Sequence, residues 1–474
     1  MIQFLKENEE NFPQLTFIEY GDKKYAYEEF LFQVIHTSRI LKSYKIPKQS
    51  LIGIQIPNPL EFLIYWFACN YLGLTSVLIN PKIEGEELQK NLDSAQLKTL
   101  ITSRNSIGKI DNSKIEIIFI DDAPTISTCG DEIKCYNWND IDTITIIFTS
   151  GSDGWPKPVE LTAGNFISSF KSWNYEISFN NDKIINFLPL HHIAGISAIF
   201  RGLLSQSPIH LIDKFHVESF LENCQKFNPT IVSMVPTVIY NLLKTEEGIT
   251  CLKSFRMILV GGGPTHKSIL ETCLTHEINI FVTYGMTETC SGVSGFWIKK
   301  NPDKLGSIGK PFKEMTVSIT NTKEEFSKVC VLGENIAKGY FGENRLNHQF
   351  FSNDLGRLDE DGFLYLKPFR KDRIVTGGEN VNPFEVENVI LKIQEVQDCC
   401  VMGIEDFEWG EKIIAFIKCS KKLDKMEIIE FCSERILDYK IPKEIIFCEE
   451  LPRTELGKIN REKGTELLKD YGHI

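Results

Sequence analysis

The chain has 474 residues, too many for one hydrophobic core, so two or three domains are expected. Hydrophobic residues make up 42% and charged residues 24%, an ordinary balance for a globular protein. The net charge of −12 speaks against a nucleic-acid surface.

Along the chain, the first residues are acidic and lack an apolar segment, which predicts no signal peptide. The most apolar stretch, 60–78, carries Glu61, Asn70 and Gly73 and reads as a buried core helix rather than a membrane span. Short apolar runs at 51–56, 98–102, 115–120, 143–148, 184–188, 209–212, 230–234, 257–260 and 278–282 read as strands. Helix-period segments such as 217–224 and 236–243 lie between them, and this alternation predicts α/β layers with largely parallel sheets. After about residue 366 the units become smaller: helix 383–393, strands 399–403 and 412–419, and helix 426–437. They predict a separate C-terminal α+β domain joined through the polar link Lys367-Pro-Phe-Arg-Lys-Asp372. The 13 cysteines are scattered, with no CxxC pair and no metal-ligand spacing, and read as reduced thiols of a cytoplasmic protein.

Five segments carry chemistry. Thr149-Ser-Gly-Ser-Asp-Gly-Trp-Pro-Lys157 follows an apolar strand. Its small residues can turn backbone N–H groups toward a phosphate, and Lys157 adds a positive charge. The spacing is not that of a Walker loop, and an ordinary Ser/Gly surface loop has the same composition. Gly261-Gly-Gly-Pro264 permits close backbone approach to a flat ligand or simply makes a tight turn. Tyr284-Gly-Met-Thr-Glu-Thr289 offers a stacking ring and, in Glu288, a carboxylate for Mg²⁺; alternatively it is a strand-to-helix turn with Thr287 as N-cap. Ser352-Asn-Asp354-Leu-Gly356 reads as a turn whose aspartate can take both hydroxyls of a ribose. Leu451-Pro-Arg-Thr-Glu-Leu-Gly-Lys458 presents a lysine on a glycine turn, able to meet charge developing on phosphorus.

Each segment is weak alone. In this order, and together with Leu188-Pro-Leu-His-His192, Gly306-Ser-Ile-Gly-Lys-Pro311, Thr376-Gly-Gly-Glu-Asn380 and Trp409-Gly-Glu411, they resemble the adenylate-forming superfamily of acyl-CoA synthetases, luciferases and peptide-synthetase adenylation domains. The resemblance covers nearly the whole chain. It implies a large N-terminal domain of layered α/β subdomains, 1–368, and a small mobile C-terminal domain, 369–474. It implies ATP, Mg²⁺ and CoA as reactants and cofactor, and an acyl-adenylate as intermediate. By resemblance, Thr149, Ser150, Gly151 and Lys157 hold the pyrophosphate, Thr287 contacts phosphate and Glu288 holds Mg²⁺. Gly261, Gly262 and Tyr284 frame the adenine, and Asp354 takes the ribose. Lys458 is the adenylation lysine, Lys371 the hinge, and the Gly377-Gly378 loop lines the thiol tunnel after domain rotation.

The chain departs from the pattern at several places. Asp153 stands where Thr or Ser is usual, Pro158 replaces a glycine, Ala163 stands where many members have His, and Ser352-Asn353 replaces Thr-Gly. Phe369 occupies the position of an arginine that helps hold the ribose, and Arg370 is expected to substitute from one residue later.

The acid pocket is expected along the segment after His192. Arg201 stands alone there in an apolar helical pattern, so it either reaches solvent, joins an ion pair or meets a second carboxylate on the substrate. His192, Gly195, Arg201 and the Gly261 run together look like those of the o-succinylbenzoate–CoA ligases of menaquinone and phylloquinone biosynthesis. That likeness implies His192 and Arg201 as substrate residues. The partners implied are small molecules, with no nucleic acid and no membrane span, and a homo-oligomer is left open.

Overall fold

The computed structural model describes residues 1–106, 115–122, 133–149, 156–263, 265–321, 323–367, 373–421, 423–449, 451, 464 and 468. Among the described residues the strands form four sheets. Two are the parallel layers that the sequence predicts. In the first, Glu116–Phe119, Thr99–Thr102, Leu51–Gln55, Thr75–Leu78 and Thr143–Thr149 run parallel in that spatial order, and Lys157–Thr162 and Gly339–Tyr340 close one edge antiparallel. In the second, Thr16–Tyr20, Ile209–Leu211, Ile184–Asn186, Ile231–Met234, Met257–Val260 and Ile280–Met286 run parallel. Antiparallel strands flank that run on both sides. Strands buried on both faces read as unbroken apolar runs, which is why these were legible.

The third sheet was not foreseen. Thr316–Ile319, Ser327–Leu332, Gln349–Leu358 and Leu364–Leu366 form an antiparallel sheet. Ser352-Asn353-Asp354 therefore lies inside a strand, not in a turn. Phe350, Ser352 and Asp354 point inward and Phe351 and Asn353 outward, the two-residue alternation of a half-buried strand.

The apolar stretch 60–78 divides into helix Pro59–Leu72 and strand Thr75–Leu78. Asn58 caps the helix by accepting from the backbone N–H groups of Leu60 and Glu61 at 3.0 Å each. Gly73, at φ 79°, ends it in the left-handed conformation that favours glycine. Trp66 and Phe67 are fully buried, and Trp66 Nε1 donates to Thr145 Oγ1 at 3.1 Å, tying the helix to the first sheet. No helix among the described residues is long and apolar enough to cross a membrane.

The C-terminal part has its own core. Ile374, Val386, Val401, Ile413, Ala415 and Ile428 are among its members. They sit between helices Pro383–Ile390 and Lys425–Ser433 and a sheet of Glu379–Val381, Ile374–Thr376, Gly410–Cys419, Val396–Asp406 and Glu444–Phe447. The second helix stops at Ser433, short of 437. This unit meets the rest of the chain through a charge cluster around the buried Lys440. Lys440 Nζ lies 2.6 Å from Glu87 Oε1 across the interface and 2.7 Å from Glu385 Oε1 within its own unit. The described cysteines are all free thiols.

Candidate active site

One cavity of about 2000 Å³ lies at the carboxyl ends of the parallel strands, where the C-terminal unit closes over them. Ligands of open α/β sheets bind at such strand ends. The structure brings Thr149, Lys157, His192 and Arg201 to its wall, together with Gly261, Gly262, Tyr284, Thr287, Glu288 and Asp354. Ser150, Gly151, Asp153, Pro264, Phe369, Arg370, Lys371 and Lys458 lie outside the described residues.

On one side, strand Thr143–Thr149 turns into strand Lys157–Thr162, with Thr149 paired to Lys157. Pro158 sits inside that second strand opposite Phe148. Lys157 Nζ stands 5.4 Å from the centre of the Tyr340 ring, and Tyr340 Oη donates to Glu288 Oε1 at 2.8 Å. Burial raises the Glu288 pKa, only partly countered by this hydrogen bond. Glu288 lies on a single 3-10 turn, Thr287–Thr289, closed by Met286 N–H donating to Thr289 Oγ1 at 3.0 Å. The expected N-cap role thus falls not to Thr287 but to Met286. A lone recessed carboxylate beside a lysine and hydroxyls fits Mg²⁺, which takes one or two carboxylates and completes its shell with phosphate and water. Among the described residues no group of three His, Cys, Asp or Glu side chains could hold a metal alone.

The opposite wall is built for a flat ligand. Gly262 has φ 79°, and a Cβ at Gly261 would stand 3.1 Å from Thr283. Tyr284 Oη donates to Asp354 Oδ2 at 2.8 Å, and Arg373 Nη2 lies 3.2 Å from Asp354 Oδ1. Burial, reinforced by the Asp354 charge, pushes the Tyr284 pKa well up, so the phenol stays a donor. Sequence reasoning missed Arg373, which directly follows the polar link 367–372, where a charged side chain reads as solvated.

At the third side, helix Ile193–Leu204 begins at His192. Gly195 is required there: a Cβ would stand 2.2 Å from Pro189 O, a backbone atom that cannot yield. Arg201 is 5% exposed, with its guanidinium 5.3 Å from the centre of the Trp173 ring and Nη2 3.5 Å from Ser233 Oγ. It does not reach solvent, and among the described residues no carboxylate lies within ion-pair distance of it. Burial lowers its pKa to about 10, which leaves it protonated at neutral pH. Trp173 and Ser233 carried no signal in the sequence beyond ordinary core and strand residues.

The C-terminal unit supplies the remaining wall. Glu379 Oε2 lies 3.2 Å from His192 Nε2. Burial alone would lower the His192 pKa, but the Glu379 carboxylate beside it outweighs burial and holds the imidazole above 6.5. Burial likewise works against the Glu379 carboxylate, and His192 reverses this, keeping it below 4.5. His191 is pushed well down by burial and by His192, and stays neutral. Gly377 donates its N–H to Trp409 O at 2.8 Å, and Gly378, at φ 84°, packs against Val235. Glu411 accepts from Val375 N–H at 2.7 Å and braces the strand beneath this loop.

This arrangement has known counterparts. Residues 5–341 match the AMP-binding enzyme family and 385–458 the AMP-binding enzyme C-terminal domain. The chain is 34% identical over 444 residues to a 2-succinylbenzoate–CoA ligase of Bacillus velezensis, covering 91% of each. It is 32% identical over 470 residues to that of Bacillus subtilis, covering 97% of this chain and 95% of the relative. Among solved structures it is similar to a double mutant of the Bacillus subtilis o-succinylbenzoate CoA synthetase bound with its product analogue OSB-NCoA. The TM-score is 0.89, at 30% identity and 97% coverage of both chains. The same synthetase with the acyl-adenylate OSB-AMP gives 0.74, again at 30% identity and 97% coverage of both.

Proposed function

The chain belongs to the AMP-binding enzyme family, and from that membership we propose that it is an AMP-forming ligase joining o-succinylbenzoate to CoA, a step of menaquinone or phylloquinone biosynthesis. The observation that carries the choice of acid is Arg201, a buried cation with no described carboxylate partner, in the wall of the cavity that also holds Lys157, Glu288 and Asp354. O-succinylbenzoate has two carboxylates. One can neutralise Arg201 while the other reacts, and a monoacid leaves that charge buried and unpaired.

In the first half-reaction a carboxylate oxygen of the acid forms a bond to the α-phosphorus of ATP, and the bond to pyrophosphate breaks. Lys157 and Thr149, with Ser150 and Gly151, hold the departing pyrophosphate, and Thr287 contacts phosphate. Glu288 would hold Mg²⁺, which supplies charge neutralisation at the phosphates. Tyr284 and the Gly261-Gly262 turn frame the adenine, and Asp354 takes the ribose. Lys458 meets the charge developing on phosphorus, and Lys371 serves as hinge between units 1–368 and 369–474, with Arg370 beside the ribose. In the second half-reaction the CoA sulfur bonds to the acyl carbon, the bond from that carbon to the AMP phosphate oxygen breaks, and the thiol proton passes to solvent. His192 lines the acid pocket with Arg201, and the Gly377-Gly378 loop borders the thiol's approach.

The TM-score contrast supports reading the described arrangement as that of the second half-reaction. At equal identity and coverage, the product-analogue complex is far more similar than the acyl-adenylate complex. Domain alternation of this kind lets two steps with different needs share one site. The free thiols support a cytoplasmic setting.

The test is pyrophosphate release by the purified protein with Mg·ATP, CoA and a panel of acids headed by o-succinylbenzoate, with Lys458→Ala as control. Release and thioester formation that depend on o-succinylbenzoate, and vanish in the control, are expected. Turnover of a monoacid in preference to it would overturn the choice of acid.

A further inference from the structure

Arg373 immediately precedes strand Ile374–Thr376 of the C-terminal sheet, yet its guanidinium reaches Asp354 on strand Gln349–Leu358 of the other unit. Tyr284 holds one oxygen of that carboxylate at 2.8 Å and Arg373 stands 3.2 Å from the other. Two donors, one on strand Ile280–Met286 and one just ahead of strand Ile374–Thr376, thus fix the plane of a single carboxylate in the cavity wall. The outer torsion of an aspartate is otherwise soft and broadly populated. Arg373 also acts electrostatically on Glu288 and Tyr284, so its charge is felt across the nucleotide side of the cavity. Because Arg373 moves with the C-terminal unit and Asp354 does not, the contact depends on how the two units are docked.

Resting on the ligase reading above, we propose that Arg373 is a positioning residue of the thioester-forming step, aligning Asp354 on the ribose hydroxyls of the adenylate while the C-terminal unit is docked. It thereby couples nucleotide grip to domain position. Its removal takes a cationic partner from one oxygen, and the two ribose hydroxyls meet a carboxylate less firmly preset to accept from both.

The experiment titrates AMP and 2′,3′-dideoxy-AMP, with CoA present, into full-length wild type, Arg373→Ala and Arg373→Lys. AMP affinity is expected to fall about tenfold in Arg373→Ala, as for one lost charge-assisted contact, and less in Arg373→Lys. The dideoxy analogue is expected to bind all three alike. Transfer from preformed o-succinylbenzoyl-adenylate to CoA slows by a similar factor, whereas ATP–pyrophosphate exchange stays within about twofold. Unchanged AMP affinity, equal weakening of AMP and the dideoxy analogue, or equal slowing of both half-reactions would overturn the role. The ligase reading fails on a different result, the absence of acid-dependent pyrophosphate exchange in wild type, and the two titrations still decide the role of Arg373 in that event.

Discussion

A buried guanidinium with no described carboxylate partner destabilises the protein that carries it, and this separates a substrate role for Arg201 from a structural one. Arg201→Met is expected to lower kcat/KM for o-succinylbenzoate by about 100-fold while AMP affinity stays within about twofold. Its Tm should rise rather than fall, because a lone charge has left an apolar wall. Calorimetry and steady-state kinetics on one preparation check both. The pair His192–Glu379 makes a separate prediction with a definite sign. His192 is raised above 6.5, so its contribution to docking is fully present below that pH and is lost as pH rises through its raised value. Glu379 is lowered below 4.5, so its contribution is present above that pH and is lost as pH falls through its lowered value. The pair is therefore strongest between the two. The Tm difference between wild type and Glu379→Gln should be largest near about pH 5.5 and shrink toward about pH 8. At this scale the sequence was a partial guide. Arg201 was legible because a charge breaks an apolar helical pattern, and Glu288 and Asp354 because carboxylates stand among small residues. Arg373, Glu379 and Tyr340 were not, because their chemistry comes from residues far away in the chain.

Whole elements were legible where burial is two-sided. The parallel strands and helix Pro59–Leu72 stand out as apolar runs, and Gly73 marks where that run changes from helix to strand. The antiparallel sheet between Thr316 and Leu366 has one wet face, and its alternation is diluted by Ser, Asn and Asp. A segment dominated by turn-forming residues hid a strand there. The Gly377-Gly378 loop tests the element that closes the thiol side. A Cβ at Gly378 would stand 2.4 Å from Val235 Cγ1, and the backbone there is left-handed. Gly378→Ala should therefore hold the units apart. Single-turnover thioester formation should slow by about 10-fold or more, with ATP–pyrophosphate exchange within about threefold. Equal slowing of both steps would show that the loop serves adenylation as well.

Over the whole molecule, docking rests on contacts whose partners lie hundreds of residues apart, which no local pattern announces. Lys440 is the centre of that contact. Burial lowers its pKa, but Glu385 and Glu87 outweigh burial and hold it above the ordinary lysine value. Removing it leaves two partly buried carboxylates on the two units without the cation that joins them. Lys440→Met should shift the units toward an undocked arrangement, seen as a larger radius of gyration by small-angle scattering. The double variant Lys440→Met/Glu87→Gln should recover part of the difference.

The same cluster sets a waiting time. On the proposed alternation of the two units, each turnover draws Lys440 away from Glu87, and until it does the thiol side stays assembled. A firm grip gives a scarce thiol longer to arrive, and a loose one lets the activated acid outlast its chance of capture. On that proposal Lys440 sets how little CoA the enzyme can live on, from a position that need never touch CoA.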